Sequence, residues 1–432
     1  MHNERLNIVT VISHDLGQHI GCYGVPNVRT PNFDAFAAQG VRFENNFCTA
    51  PQCSPSRAAL WTGRYPHANG VVGLAHSEFQ NDLHDDERHL AQILGDEGYD
   101  THLFGNQHVS PNPKRCGFKG IHGGGPCGKI ASAVSKFLAE WNGRDRPLFI
   151  QAAFSEPHRP FPHEDVKSLD PATLWVPPYL PDIPEVREDL AHLEASCSSA
   201  DKAFGAIVEA IDRCGMADDT IVVFTVDHGI AFPHAKMTLY DPGVETALLM
   251  RIPDIEDGKV YKEMISNVDF APTILELLNI KVPENIQGRS FKGLLTGEEY
   301  KPNEAVFAEK TYHTYYDPMR AIRTAKWKLI ANFEFAPWQE TSPDYHNNAK
   351  SYVEIAKARP TPSFYHPPFE LYNLQDDPWE QENLADKPEC EDIRDGLIRR
   401  LRQWMRDTAD PLLDGPMAQG AYRKRMETFL KL

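Results

Sequence analysis

Four apolar runs of strand length restrict the fold more than any other feature of this chain. They are "LNIVTVIS" (Leu6–Ser13), "YDTHLFG" (Tyr99–Gly105), "PLFIQAAF" (Pro147–Phe154) and "DTIVVFTV" (Asp219–Val226). Helix-like segments lie between them. "TPNFDAFAAQG" follows the first, with a Thr-Pro start and a Gly stop, and "ERHLAQILGDEG" and "ASAVSKFLAEWNG" precede the second and third. A long helix around Cys197–Cys214 precedes the fourth. This alternation predicts an α/β fold, a mostly parallel sheet covered by helices on both faces. Such sheets bind ligands outside the carboxyl ends of their strands. Each run ends in residues able to do chemistry there: His14 and Asp15; Asn106, Gln107 and His108; Glu156 and His158; Asp227 and His228. A purely structural chain offers no reason for that coincidence.

The pattern changes after Pro302. "EAVFAEK", "MRAIRTAKWKLIANF" and "FELYNL" read as short strands, and "EDIRDGLIRRLRQWMRD" as a terminal helix. We therefore expect a catalytic α/β domain over residues 1–302 and an antiparallel α+β subdomain over 303–432. Glu156–Leu190 is too proline-rich for regular structure and reads as a binding loop or lid. The Gly120–Lys129 cluster reads as a flexible loop, and Glu334–Pro368 as an irregular insertion near the site. A net charge of −17 leaves no basic stripe for a nucleic-acid backbone. No window of about 18 apolar residues suggests a membrane span. The first residues, "MHNERLNIVTVIS", lack the basic and long apolar regions of a signal peptide. The eight cysteines form no CxxC pair or framework. Together these features predict a cytoplasmic protein; a periplasmic or secreted one would fit only if a leader had been trimmed. The sequence leaves homo-oligomerisation open.

In "APQCSPSRAALWTGRYPHANG" (Ala50–Gly70), Cys53 stands at an apparent helix start. Ser54, Pro55 and Ser56 supply capping residues and an opening proline, and Gly63 supplies the stop. Arg57, one turn on, shares a face with Cys53. Two readings follow from local features: a buried structural thiol, or an anion site at a helix N-terminus.

The C-S-P-S-R motif followed by "ALWTGR", together with the His and carboxylate residues at the strand ends, resembles the formylglycine-dependent sulfatase family of the alkaline phosphatase superfamily. The likeness extends through "TPNFDAFAAQGVRF", "VDHG" and "ELYNLQDDPWEQENLA". Within the family, "DPATLWVPPYLPDIPEVREDLA", "FPHAKMTLYDPG" and "YYDPMRAIRTAKWKLIANF" are most similar to N-sulfoglucosamine sulfohydrolases (sulfamidases). The resemblance implies that a formylglycine-generating enzyme oxidises Cys53 to formylglycine. One hydroxyl of its hydrate would attack sulfur, and the other would then expel sulfate. It also implies one divalent metal held by His14, Asp15, Asp227, His228 and the residue-53 oxygen. Arg57, with the helix N-terminus and the metal, would stabilise the charged oxygens, His108 would act as base during sulfate release, and His158 and Lys236 would bind sulfate and protonate the leaving group. Glu245 and Arg320 look like pocket or supporting residues. The substrate would be a small sulfated saccharide, with a glycosaminoglycan fragment as the model case.

Two departures stand out. Family members usually carry Asp and often Asn where this chain has His14 and His228. Imidazole suits manganese, zinc or iron, whereas family habit is calcium, unless His14 only hydrogen-bonds an oxygen ligand. Asn106 also occupies the place of the lysine in the family's Gly-Lys-x-His pattern. Competing readings are a phosphonate monoester or phosphodiester hydrolase, whose relatives also carry an Asp-His pair, and an inactive carbohydrate-binding homologue.

Overall fold

A computed structural model describes residues 5–431 apart from 77–79, 142, 144, 162–168, 256, 336–348, 350, 360–362 and 364. The first nine strands are β1 (Asn7–Ser13), β2 (Val41–Phe43), β3 (Asn46–Phe47), β4 (Asp100–Gly105), β5 (Gly120–His122), β6 (Leu148–Ala153), β7 (Thr220–Val226), β8 (Leu248–Arg251) and β9 (Lys259–Tyr261). All but β3 form one sheet in the order β5-β4-β6-β1-β7-β8-β2-β9. β3 pairs instead with β10 (Ile265–Ser266). β1 runs parallel to β6 on one side and β7 on the other, in register from Ile8↔Phe149 and Ile8↔Ile221. β8 is antiparallel to β7 and β2, so the sheet is mostly parallel.

Every residue of β1, β6 and β7 is buried, which is why these strands read as continuous apolar runs. The two-residue period of β1 sends Val9 and Val11 to one face and Ile8 and Ile12 to the other. The first face packs against helices Pro31–Ala38, Cys127–Glu140 and Pro184–Arg213 through Phe33, Val134 and Phe204. The second packs against Cys53–Thr62, Leu90–Asp96 and Phe270–Leu277 through Trp61, Leu94 and Ile274. Full burial of each such side chain is worth roughly 1.5–3 kcal/mol, so the strand ends are held on a stiff platform.

A second sheet, β11 (Val306–Tyr312), β12 (Tyr316–Arg323), β13 (Trp327–Asn332) and β14 (Phe369–Asn373), is antiparallel and pairs in chain order. Ile322, Leu329 and Leu371 bury Leu397, Leu401 and Trp404 of helix Glu391–Asp407. On the opposite face, Ala308, Met319 and Ile330 meet Phe47, Leu239 and Val244 of the α/β layer.

Three loop expectations are corrected. Gly120–His122 forms the edge strand β5, and a helix starts at Cys127, so only the residues between them remain loop. The 156–190 segment ends in helix, because Pro184 sits in its first turn, where proline's missing N–H costs nothing. The described part of the 334–368 excursion includes helix Ser351–Ala358; residues 336–348 and 162–168 lie outside the described residues. Among the described residues, no helix is long and apolar enough to cross a membrane.

Candidate active site

Backbone bonds tie the strand ends into one rim. The His14 amide and the Ser13 hydroxyl both donate to the Glu156 carbonyl, at 3.2 and 3.0 Å, joining β1 to the segment after β6. The Asp227 amide donates to the Ser13 carbonyl at 3.3 Å, joining β7 to β1. Asp15 then turns into the left-handed region (φ +47°), a conformation uncommon for a residue with a side chain. Its amide donates to Asp227 Oδ1 at 3.0 Å. One oxygen of each carboxylate lies within 4.8 Å of the other, and both residues are buried.

Cys53 opens helix Cys53–Thr62, which Gly63 ends at φ +66°. The serines do not cap it, however. Ser54 Oγ accepts from the Ala75 amide at 3.0 Å, and Ser56 Oγ donates to the Asp227 carbonyl at 2.5 Å. They pin the helix to the rim instead. Arg57 is wholly buried; its Nε donates to Asp227 Oδ2 at 3.0 Å and its Nη1 to the Asn106 carbonyl at 3.3 Å. Its Nη2 is buried with no hydrogen-bond partner. The Met237 amide donates to the Pro51 carbonyl at 2.9 Å, which brings Lys236 beside the helix start.

Cys53 Sγ lies 3.3 Å from His228 Nε2, and that nitrogen lies 3.2 Å from Asp15 Oδ1. Lys236 Nζ pairs with Asp15 Oδ2 at 2.7 Å and sits 3.4 Å from His158 Nε2. His14 Nδ1 is 3.0 Å from Asp227 Oδ2. The His14 ring stands edge-on to those of both His108 and His158, with centroids 5.4 and 5.2 Å apart.

Burial pushes the Cys53 thiol well above its usual range; Lys236 and Arg57 oppose that, while Asp227 and Asp15 add to it. The thiol therefore stays protonated at neutral pH. Burial also opposes ionisation of Asp15, but Lys236, His158 and His228 outweigh it and hold the carboxyl well below its usual range. Asp227 behaves likewise, with burial outweighed by His228, His14 and Arg57. Burial lowers His228 despite both carboxylates, and lowers His108 further with help from His14, Arg57 and His76. Those two imidazoles are neutral.

The donor set fits a divalent cation. Asp15, Cys53, Asp227 and His228 each offer an atom within 4.8 Å of the others, as do His14, Asp15, Cys53 and His158. Asp15 Oδ1 and His14 Nδ1 are buried close to His228 Nε2 and Asp227 Oδ2, at 3.2 and 3.0 Å, without the alignment of a hydrogen bond, so these electron-rich atoms converge on one point. His228 Nδ1 donates to the Gly229 carbonyl at 3.0 Å, leaving the Nε2 lone pair toward the carboxylates, as metal-binding histidines require.

The structure thus gathers His14, Asp15, Cys53, Arg57, His158, Asp227, His228 and Lys236, with His108 against His14. Other candidates lie elsewhere. Arg320 is buried and saturated: Nε and Nη2 reach Asp410 at 2.6 and 3.0 Å, and Nε is 3.4 Å from Glu309. Glu245 belongs to a charged cluster with Asp241, Arg323, Lys328 and Glu380 at the seam with the second sheet. The Glu156 carboxylate accepts from the Cys127 amide and so caps helix Cys127–Glu140. Asn106 offers the site its carbonyl, while its side chain is exposed. Sequence reasoning missed His76, whose Nδ1 is 3.1 Å from His108 Nε2. A single histidine in "GLAHSEF" carries no spacing signal that would reveal it.

A sulfatase family model matches residues 6–280, most of the chain. The chain belongs to the sulfatase family. A model of the N-sulphoglucosamine sulphohydrolase C-terminal region matches residues 228–352. Human N-sulphoglucosamine sulphohydrolase is 29% identical to this sulfatase, over 95% of the chain and 92% of that relative. A solved Bacteroides thetaiotaomicron sulfatase, from work on glycosaminoglycan metabolism, superposes with a TM-score of 0.77 at 21% identity, covering 94% of this chain and 97% of that one. An enzyme solved with its substrate D-glucosamine-2-N,6-O-disulfate superposes with a TM-score of 0.72 at 19% identity, covering 96% and 99%. These solved structures share the fold, a mostly parallel sheet between helices with a smaller antiparallel sheet, and the family is one of sulfuric ester hydrolases.

Proposed function

We propose that this sulfatase cleaves a sulfate ester or sulfamate on a small saccharide, using formylglycine made from Cys53 and one divalent metal. The position of Cys53 carries the reading. A thiol kept protonated by burial is a poor nucleophile, yet it sits among two carboxylates, two cations and three histidines arranged for an anion. The matured residue would supply a hydroxyl nucleophile, and a metal on Asp15, Asp227 and His228, with His14 as a further ligand, would stabilise charge on oxygen.

The protein's own groups would do the rest. Arg57 is held by Asp227 and the Asn106 carbonyl, which aims its unpartnered Nη2 at a sulfate oxygen. His158 Nδ1 donates to the Arg159 carbonyl at 2.5 Å, so its Nε2 can take a proton from Lys236 and pass it to the leaving oxygen or nitrogen. Neutral His108 can serve as base for sulfate release. With two carboxylates and one or two imidazoles, the site favours manganese or zinc over calcium.

Likeness to N-sulphoglucosamine sulphohydrolase, including its C-terminal region, makes N-sulfated glucosamine the first substrate to test. A formylglycine-generating enzyme is the partner this maturation requires. We keep residues 1–302 as the catalytic domain and 303–432 as the subdomain. The eight free cysteines support a reducing compartment such as the cytoplasm. The Asp227–His228 pair is what favours the second reading, phosphonate monoester or phosphodiester hydrolysis. Activity on an aryl sulfate, an aryl phosphonate and glucosamine N-sulfate, after metal reconstitution, separates the two. A strong preference for the phosphonate would overturn the proposal.

A further inference from the structure

Among the described residues, His76 is the histidine at this rim that the proposed chemistry leaves without a task. It is exposed, and its Nδ1 lies 3.1 Å from His108 Nε2 with the rings tilted by 31° at 4.7 Å. His108 Nδ1, the other nitrogen of that ring, is buried and has no hydrogen-bond partner. His108 itself is held at φ +61°, so its backbone is committed to presenting the ring this way. The backbone is fixed in turn: the His108 amide donates to Asn106 Oδ1 at 3.3 Å, and Gln107 Oε1 accepts from the Val109 and Ser110 amides.

We infer that His76 is a positioning residue that fixes the tautomer of His108. A neutral imidazole carries one N–H, so a hydrogen bond at one nitrogen settles the state of the other. When His108 Nε2–H donates to His76 Nδ1, the lone pair is left on buried Nδ1, the atom without a partner. In the opposite arrangement, the buried nitrogen would turn an N–H toward a part of the site where the Arg57 cation acts on this ring and no acceptor meets it, whereas a lone pair there is favoured by the same charge. The first arrangement is therefore the stable one, and it makes Nδ1 the basic atom of His108. His76 keeps its own proton on Nε2.

The inference rests on the reading of His108 as a base. Its consequences are specific to the acceptor atom. His76→Ala should lower kcat about 10- to 100-fold, the usual loss when a group orienting an active-site histidine is removed, and leave KM unchanged. His76→Asn, whose Oδ1 can accept where Nδ1 did, should recover most of that loss. Long-range proton–nitrogen correlation spectra of protein labelled in its histidines should show His108, assigned with His108→Gln, as the Nε2–H tautomer in wild type and as a mixture in His76→Ala. A wild-type Nδ1–H tautomer, or equal kcat in wild type and His76→Ala, would overturn the inference. The tautomer is read without turnover. A wild-type enzyme that releases no sulfate would therefore defeat the functional proposal while the spectra still decide this one.

Discussion

Replacing Arg57 separates the contact it makes with Asp227 from the proposed binding of a substrate anion. Arg57→Ala leaves Asp227 buried, still accepting from the Asp15 and His228 amides at 3.0 Å each and with His14 Nδ1 at 3.0 Å. Breaking a buried ion pair costs roughly 3–5 kcal/mol, and these remaining partners place the loss near the lower end, about 3 kcal/mol. A metal beside Asp227 would take over part of the lost charge, so the loss should shrink when metal is added. Removing one charged donor from a developing anion costs about 10²–10³ in kcat. Arg57→Lys keeps the charge but loses the fork, so a single ammonium can serve Asp227 or the sulfate and not both. It should retain most of the folding free energy and still lose about 10² in kcat. Urea unfolding followed by tryptophan fluorescence gives the first quantity, and initial rates on an aryl sulfate give the second. Wild-type kcat in Arg57→Lys, or wild-type stability in metal-free Arg57→Ala, would refute the reasoning.

Three further outcomes are expected. Cys53→Ala and Cys53→Ser should both abolish turnover and fold normally, since neither can supply a geminal diol; activity assays with circular dichroism check this, and an active alanine variant would contradict it. After chelation, manganese or zinc should restore activity better than calcium, and recovery with calcium alone would place His14 and His228 outside the metal shell. Burial raises the Glu380 carboxyl to about 8, with Asp241 adding to the effect and Lys328 opposing it. As pH rises from about 4.5 to about 8, the unfolded chain releases this proton before the folded one does, so stability should fall across that window. Glu380→Gln should flatten the slope in pH-dependent unfolding curves, and an unchanged slope would assign it to other groups.

β1, β6 and β7 were legible because strands buried on both faces leave long apolar runs, and β4, only partly buried, because a helical segment precedes it and chemistry-bearing residues follow it, as they follow the other three. β2, β8 and β9 are three or four residues long and were not legible, nor was the antiparallel turn of β8, which only its neighbours β7 and β2 decide. Glycines at Gly120 and Gly123–Gly125 hid edge strand β5, and prolines hid the start of helix Pro184–Arg213. Ser54 and Ser56 show the limit of local rules: both match a cap, and tertiary partners claim both. Arg320 fails differently, because a buried arginine paired with Asp410 looks in sequence like any arginine placed near a pocket. His76 depends on a contact across 32 residues that no spacing encodes.

The central claim is that Cys53 works only after conversion. Tryptic mass spectrometry of the Cys53 peptide tests it most directly, on protein produced with and without a formylglycine-generating enzyme and assayed in parallel for sulfate release. The account predicts the aldehyde mass at Cys53, with specific activity proportional to the converted fraction. Full activity in protein carrying only the unmodified thiol would contradict it.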